Sequence, residues 1–152
     1  KRQAAYLSIL KDFFRCGIAG WCLEILFTSV EAWMRGGCEN DGTTSVIMFP
    51  IYAAGAILPD IVNGATMVKG LPDFLKADRE EISPVALKLR HGLIYMVLIY
   101  TGEYIAGSFL MAKGLCPWDY SQWPDQIHGV IRLAFIPFWF GTGLLFESLC
   151  TH

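Results

Sequence analysis

The sequence predicts an all-α membrane protein, a polytopic bundle of four transmembrane helices. Three observations predict it. Apolar stretches at about 13–33, 46–68, 90–112 and 131–150 are each close to the ~20 residues needed to cross the hydrocarbon core. Of the 152 residues, 54% are hydrophobic and 17% charged, more apolar and less charged than an ordinary soluble domain. Each stretch also holds a carboxylate well inside it or near its end, Glu24, Asp60, Glu103 and Glu147, and the first holds a second, Glu31, near its end. A carboxylate at mid-membrane costs about 2.5–3.5 kcal/mol on insertion scales, so four of them predict a shared polar interior rather than contact with lipid.

Span 1 follows a lead from Lys1 to Lys11 that has no small-residue cleavage signature. It reads as a retained first helix rather than a removed signal peptide, and the absence of an initiating Met places the native start elsewhere. Arg15 can snorkel to the interface. Gly17, Gly20, Glu24, Thr28 and Glu31 recur at steps of three and four, which puts a small-and-polar stripe on one helix face. Small residues let helices approach and polar ones bond across the contact. Span 2 is read as one helix with Ala53, Ala56, Asp60, Asn63 and Gly64 on a shared face. Pro50 and Pro59 there, and Pro137 in span 4, predict kinks, tolerated where neighbours satisfy the freed carbonyls. The polar segment 69–89 is a connection with room for one short amphipathic helix. Span 3 repeats the stripe with Gly92, Met96, Ile99, Glu103 and Gly107, and span 4 with Trp139, Gly143 and Glu147. No internal repeat is visible, so residues 1–152 read as a single membrane domain.

Basic residues set the orientation. Nine of them precede span 1 or lie between spans 2 and 3, whereas only Arg35, Lys113 and Arg132 lie on the other side. Both termini and segment 69–89 are therefore expected in the cytoplasm of a cell whose membrane holds the chain. The outer side holds loops 34–45 and 113–130, where Trp33, Trp118, Tyr120 and Trp123 form an aromatic belt. Cys38 and Cys116 share that side, so they can be two free thiols or a disulfide in an oxidising compartment. Cys16, Cys22 and Cys150 are expected reduced.

Few cations lie at the depth of the carboxylates. Either burial and mutual repulsion keep them protonated, or a bound cation compensates them, and both states suit proton, amine or metal-ion handling. Glu24 and Glu103, near mid-span, are the strong pair and are expected to share an interior. Tyr52, Asp60, Tyr100, Glu103 and Trp139 are expected to line a polar cavity. The competing reading is that protonated carboxylates only bond neighbouring helices. In the loop Cys116-Pro117-Trp118-Asp119-Tyr120-Ser121, Asp119 suits an Asx turn and Trp118 an interfacial anchor, for binding or as a structural plug.

Several chemistries are missing from the sequence. No G-x-x-x-x-G-K-S/T loop is present for nucleotide hydrolysis, and no G-x-S-x-G elbow or H-E-x-x-H pair. No C-x-x-C supports a zinc ribbon or thioredoxin-type chemistry. His91, His128 and His152 are too far apart for a local ligand set and read as interfacial, so no metal site and no cofactor are assigned. A net charge of −2 without a basic stripe argues against a nucleic-acid partner.

Gly20-Trp21-Cys22-Leu23-Glu24 with Phe27-Thr28, Gly42-Thr43-Thr44-Ser45-Val46 with Ile51-Tyr52, Glu103 with Gly107, the Cys116–Ser121 loop, and Gly129, Trp139 and Glu147 together resemble one family. It is the CmpB-like family of type IV ABC-transporter permeases, whose pattern short vertebrate transmembrane proteins share. The resemblance covers nearly the whole chain. It implies acidic positions at Glu24, Asp60, Glu103 and Glu147, while Ala134 stands where relatives often carry an acid.

The expected function is that of a small transporter or permease subunit. A cationic or polar small solute would move through a carboxylate-lined interior. Four helices make a small pathway, so a homo-oligomer or a partner membrane subunit is expected. The alternatives are a membrane-embedded enzyme acting on a lipid or isoprenoid, with the carboxylates as acid and base, and a structural subunit of a larger complex.

Overall fold

The computed structural model describes residues 2–34, 36, 42–67 and 83–150. Within them the chain is helical, as the apolar periodicity predicts. Three helices are long and apolar enough to cross a membrane: Tyr6–Trp33, Pro84–Ala112 and Leu133–Cys150, the last including a short 3-10 turn. The chain forms two compact units, residues 1–56 and 57–151.

The first unit holds helix α1 (Arg2–Met34) and helix α2 (Met48–Ala54). Met48 and Phe49 enter α2 by donating N–H bonds to the carbonyls of Ser45 and Val46. The small stripe of α1 meets α2 directly. A Cβ added at Gly17 would overlap the Phe49 ring, and one added at Gly20 would overlap Tyr52. The Trp21 and Phe49 rings pack edge to face with centroids 4.9 Å apart, a favoured aromatic geometry.

Span 2 is not the single helix the sequence suggests. A 3-10 turn, Gly55–Ile57, separates α2 from helix α3 (Leu58–Met67). The cause is Pro59, whose ring clashes with the carbonyl four residues earlier and which has no N–H to give; that carbonyl belongs to Gly55, where the tighter turn begins. Ala53 is buried in the first unit and Asp60 is exposed in the second. Pro50 and Pro137 make no mid-helix kinks, contrary to expectation. They lie in the first turns of α2 and α5, where proline is tolerated.

The second unit contains α3, helix α4 (Pro84–Ala112), a small hairpin of strands β1 (Gln126–Ile127) and β2 (Ile131–Arg132), and helix α5 (Ile136–Cys150). Helix α4 starts earlier than the apolar run alone indicates, because Pro84 takes the first helical position and Ser83 Oγ accepts the Ala86 N–H at 3.2 Å. It ends at Gly114 (φ 66°), with the Leu115 N–H bonded back to the Leu110 carbonyl, the double-back closure that left-handed glycine permits. The hairpin turn places His128 (φ 52°) and Gly129 (φ 70°) both in the left-handed region, which matches the twist of paired strands.

Helix α4 turns Leu89, Leu93, Val97, Ile105 and Phe109 outward, all exposed. A contiguous apolar stripe of that kind is a liability in water and the expected surface in lipid. With the three long apolar helices, it makes the chain an integral membrane protein.

Candidate functional site

In the first unit, two glycine-containing sequence motifs prove to be halves of one contact. The Trp21 indole donates to the Ser45 carbonyl at 3.0 Å. The Thr44 hydroxyl donates to Glu24 Oε2 at 3.1 Å. Thr28 Oγ1 accepts the Thr43 N–H at 2.8 Å and lies 2.8 Å from the Glu24 carbonyl. The stripe residues Glu24 and Thr28 thus grip the strand-like segment that returns from α1. Gly42 fits because a Cβ there would meet the Ile25 carbonyl and the Ser29 hydroxyl.

In the second unit, α4 and α5 approach so closely that a Cβ at Gly143 would overlap Tyr95 Cβ, and one at Gly92 would overlap the Phe140 ring. Two carboxylates occupy this contact. Glu147, on α5 and 6% exposed, receives Lys88 Nζ at 2.9 Å on Oε2 and His91 Nδ1 at 2.7 Å on Oε1. Lys88 and His91 both come from α4. The lysine supplies the counter-charge, so the carboxylate accepts the imidazole N–H.

Glu103, in the C-terminal half of α4, has a different neighbour. The Trp139 indole of α5 lies near its carboxylate. Its Oε2 is buried and has no hydrogen-bond partner among the described residues. No described cation forms an ion pair with it. Close by, the Tyr100 hydroxyl donates to the Arg132 carbonyl at 2.7 Å.

The loop between α4 and α5 is built from its own polar groups. Asp119 accepts the Ser121 N–H at 2.9 Å as the expected Asx turn, and Trp118 Nε1 donates to the Val130 carbonyl at 3.0 Å. Asp125 holds Arg132 Nε at 3.0 Å and the Ala134 N–H at 2.8 Å. The Arg132 guanidinium lies 3.7 Å from the centre of the Trp123 ring, within cation–π range. The Ser121 hydroxyl and N–H hold the Asp119 carboxyl below the usual carboxylate range. Partial burial opposes the Asp125 charge, but the Ala134 N–H and Arg132 outweigh it, and that carboxyl also sits low. Burial pushes the Cys116 thiol up. The pairing of Cys116 with Cys38 falls on Cys38, which lies outside the described residues.

Residues 12–152 match the protein family described as "Putative ABC-transporter type IV". The chain belongs to that family. No solved structure matches it. For this CmpB-like ABC-transporter family member, the sequence-derived site residues divide as follows. Glu103, Trp139, Tyr100 and Glu147 come together along the α4–α5 contact, with Asp60 on α3 close enough to Tyr95 to act on it electrostatically. Glu24 and Tyr52 belong to the first unit, where Tyr52 is buried against Gly20. Trp118 and Asp119 lie in the loop between α4 and α5. His91, expected as an interfacial residue, is instead 4% exposed within the α4–α5 contact, and sequence reasoning passed over Lys88 and Tyr95. Their steps of three and four place all three on one face of α4, and that spacing was the available signal.

Proposed function

We propose that this ABC-transporter family member moves a small cationic solute or protons across the cell membrane, as a single membrane domain with both termini in the cytoplasm. Glu103 is the solute-binding carboxylate. What supports this is the state of its buried carboxyl group: it lies near the Trp139 indole, forms no ion pair with a described cation and keeps Oε2 without a hydrogen-bond partner among the described residues. An ionisable group held inside a membrane without a partner marks a pathway or a site. Glu147, by contrast, is already neutralised by Lys88. Tyr100 and Trp139 border the site within the second unit, where Asp60, Glu147, Trp118 and Asp119 are further candidate binding residues, and Glu24 and Tyr52 are candidates within the first. A second copy of the chain completes the pathway.

The test is flux into dye-loaded proteoliposomes containing the chain, driven by guanidinium or tetramethylammonium gradients as probes. The wild type is expected to move charge or protons with one of these probes, and Glu103→Gln to lose at least about tenfold of that rate. Equal rates in the two proteins would end the role of Glu103. No flux in the wild type would leave the chain as a structural subunit of a larger complex.

A further inference from the structure

The buried histidine of the second unit has a role that the carboxylate site alone does not assign. His91 is 4% exposed and Tyr95 is fully buried, one helical turn apart on α4. Their rings meet edge to face with centroids 6.3 Å apart. His91 Nδ1 is committed to Glu147 Oε1 at 2.7 Å. His91 Nε2 and the Tyr95 hydroxyl are both buried without a hydrogen-bond partner among the described residues. Buried polar atoms without partners are uncommon, and each calls for an explanation.

Chemistry fixes which nitrogen is free to react. A carboxylate can only accept, so the hydrogen between His91 and Glu147 resides on Nδ1. Nε2 is then left with its lone pair, in the manner of histidines oriented by a carboxylate partner. Nε2 is consequently the basic atom of the cluster. The groups facing His91 and Tyr95 are Lys88 on α4, Glu147 and Cys150 on α5, and Asp60 on α3.

We propose that His91 Nε2, backed by Glu147 and adjoined by the Tyr95 hydroxyl, is a buried proton-accepting station between α4 and α5. A hydronium ion delivers the proton: the N–H bond forms at Nε2 as one O–H bond of the hydronium breaks and leaves neutral water, and the imidazolium is held by Glu147 through the unchanged Nδ1–H bond. Release of the proton from Nε2 to water restores the neutral ring. The Tyr95 hydroxyl makes no direct hydrogen bond to Nε2, so a water between the two passes the proton along, the hydroxyl accepting and donating in turn. This rests on the reading that the acidic interior handles protons or cations, and it adds the base that such an interior lacks.

The deciding measurement is nitrogen NMR of histidine-labelled chain in lipid nanodiscs, carrying His128→Gln and His152→Gln so that His91 is the sole imidazole. The neutral ring is expected with its hydrogen on Nδ1, the tautomer that free histidine disfavours, and acidification is expected to add a proton at Nε2. Glu147→Leu is expected to shift the tautomer ratio at least about tenfold toward hydrogen on Nε2, the loss of one charge-assisted bond. Tyr95→Phe is expected to keep the tautomer and slow proton exchange at Nε2 about tenfold or more. Hydrogen on Nε2 in the protein with Glu147 and Tyr95 intact, or no added proton on acidification, would overturn the station. Unchanged exchange in Tyr95→Phe would remove the hydroxyl from it. Should Glu147→Leu fail to fold, the tautomer of the parent protein still decides. None of these readouts depends on solute flux, so the station and the transport reading can fail separately.

Discussion

Glu103 and Glu147 stand at the contact of the same two helices, yet their surroundings are opposites. Glu147 is held between an ammonium and an imidazole. Glu103 has the Trp139 indole nearby and an Oε2 without a hydrogen-bond partner among the described residues. The depth of each residue accounts for the difference. Lys88 and His91 lie near the start of α4, where the lysine side chain is 58% exposed and reaches solvent as well as Glu147. A lysine beside Glu103 would have no such escape. An ionisable group left unpaired inside a membrane marks a candidate site, so the proposed solute-binding role falls on Glu103, while Glu147 is committed to Lys88 and His91.

The most severe way to break this comparison is to part the helices. Gly143→Ala places a Cβ onto Tyr95 Cβ, and neither atom can swing aside. A loss of about 3 kcal/mol is expected, the upper end for overpacking, read as a lowered melting temperature in detergent with flux abolished. Glu147→Leu should come next. It strips His91 and Lys88 of their shared acceptor and is expected to cost about 2 kcal/mol, moderated because Lys88 can turn to solvent. Denaturant titration checks it; a cost as small as that of Glu103→Gln would erase the distinction between the two acids.

Glu103→Gln should change stability by less than about 1 kcal/mol, since no ion pair is lost and a neutral amide is cheaper to bury than a charge. The same denaturant titration measures it, and a large loss would turn Glu103 into a structural residue. The smallest effect is expected in the loop between α4 and α5. The Asp119 and Asp125 carboxyls sit below their ordinary value of 3.8 in the folded state. Their stabilisation is therefore complete above about pH 4 and is lost as pH falls through the folded values. The amide signals of Ser121 and Ala134 should hold still from neutral pH down to about 4 and move below it.

The sequence carried the faces of the helices better than their ends. Gly17, Gly20, Glu24 and Thr28 were legible as one stripe because three- and four-residue steps define a helix face, and the structure supplies Phe49, Tyr52, Thr44 and Thr43 opposite them. The Asx turn at Asp119 was legible because it needs only two residues. What lies across a stripe was not. The pairing of His91 with Glu147 spans 56 positions, and no periodicity reports a contact that distant. The break in span 2 was expected at Pro59 and appears four residues upstream, where the ring of a proline acts. Strands of two residues are too short to show alternation, and a His-Gly turn is a weaker hairpin signal than Asn-Gly.

The grip of α1 on the segment after it also bears on the order of events during synthesis. Its bonds, from Thr28 to Thr43, Glu24 to Thr44 and Trp21 to Ser45, span 15 to 24 positions. They can close once residue 45 has emerged, before α4 exists. A chain made from its N-terminus folds its early parts first. The returning backbone can thus reach the bilayer with its exposed donors already engaged, at the stage when no later helix is present to shield them.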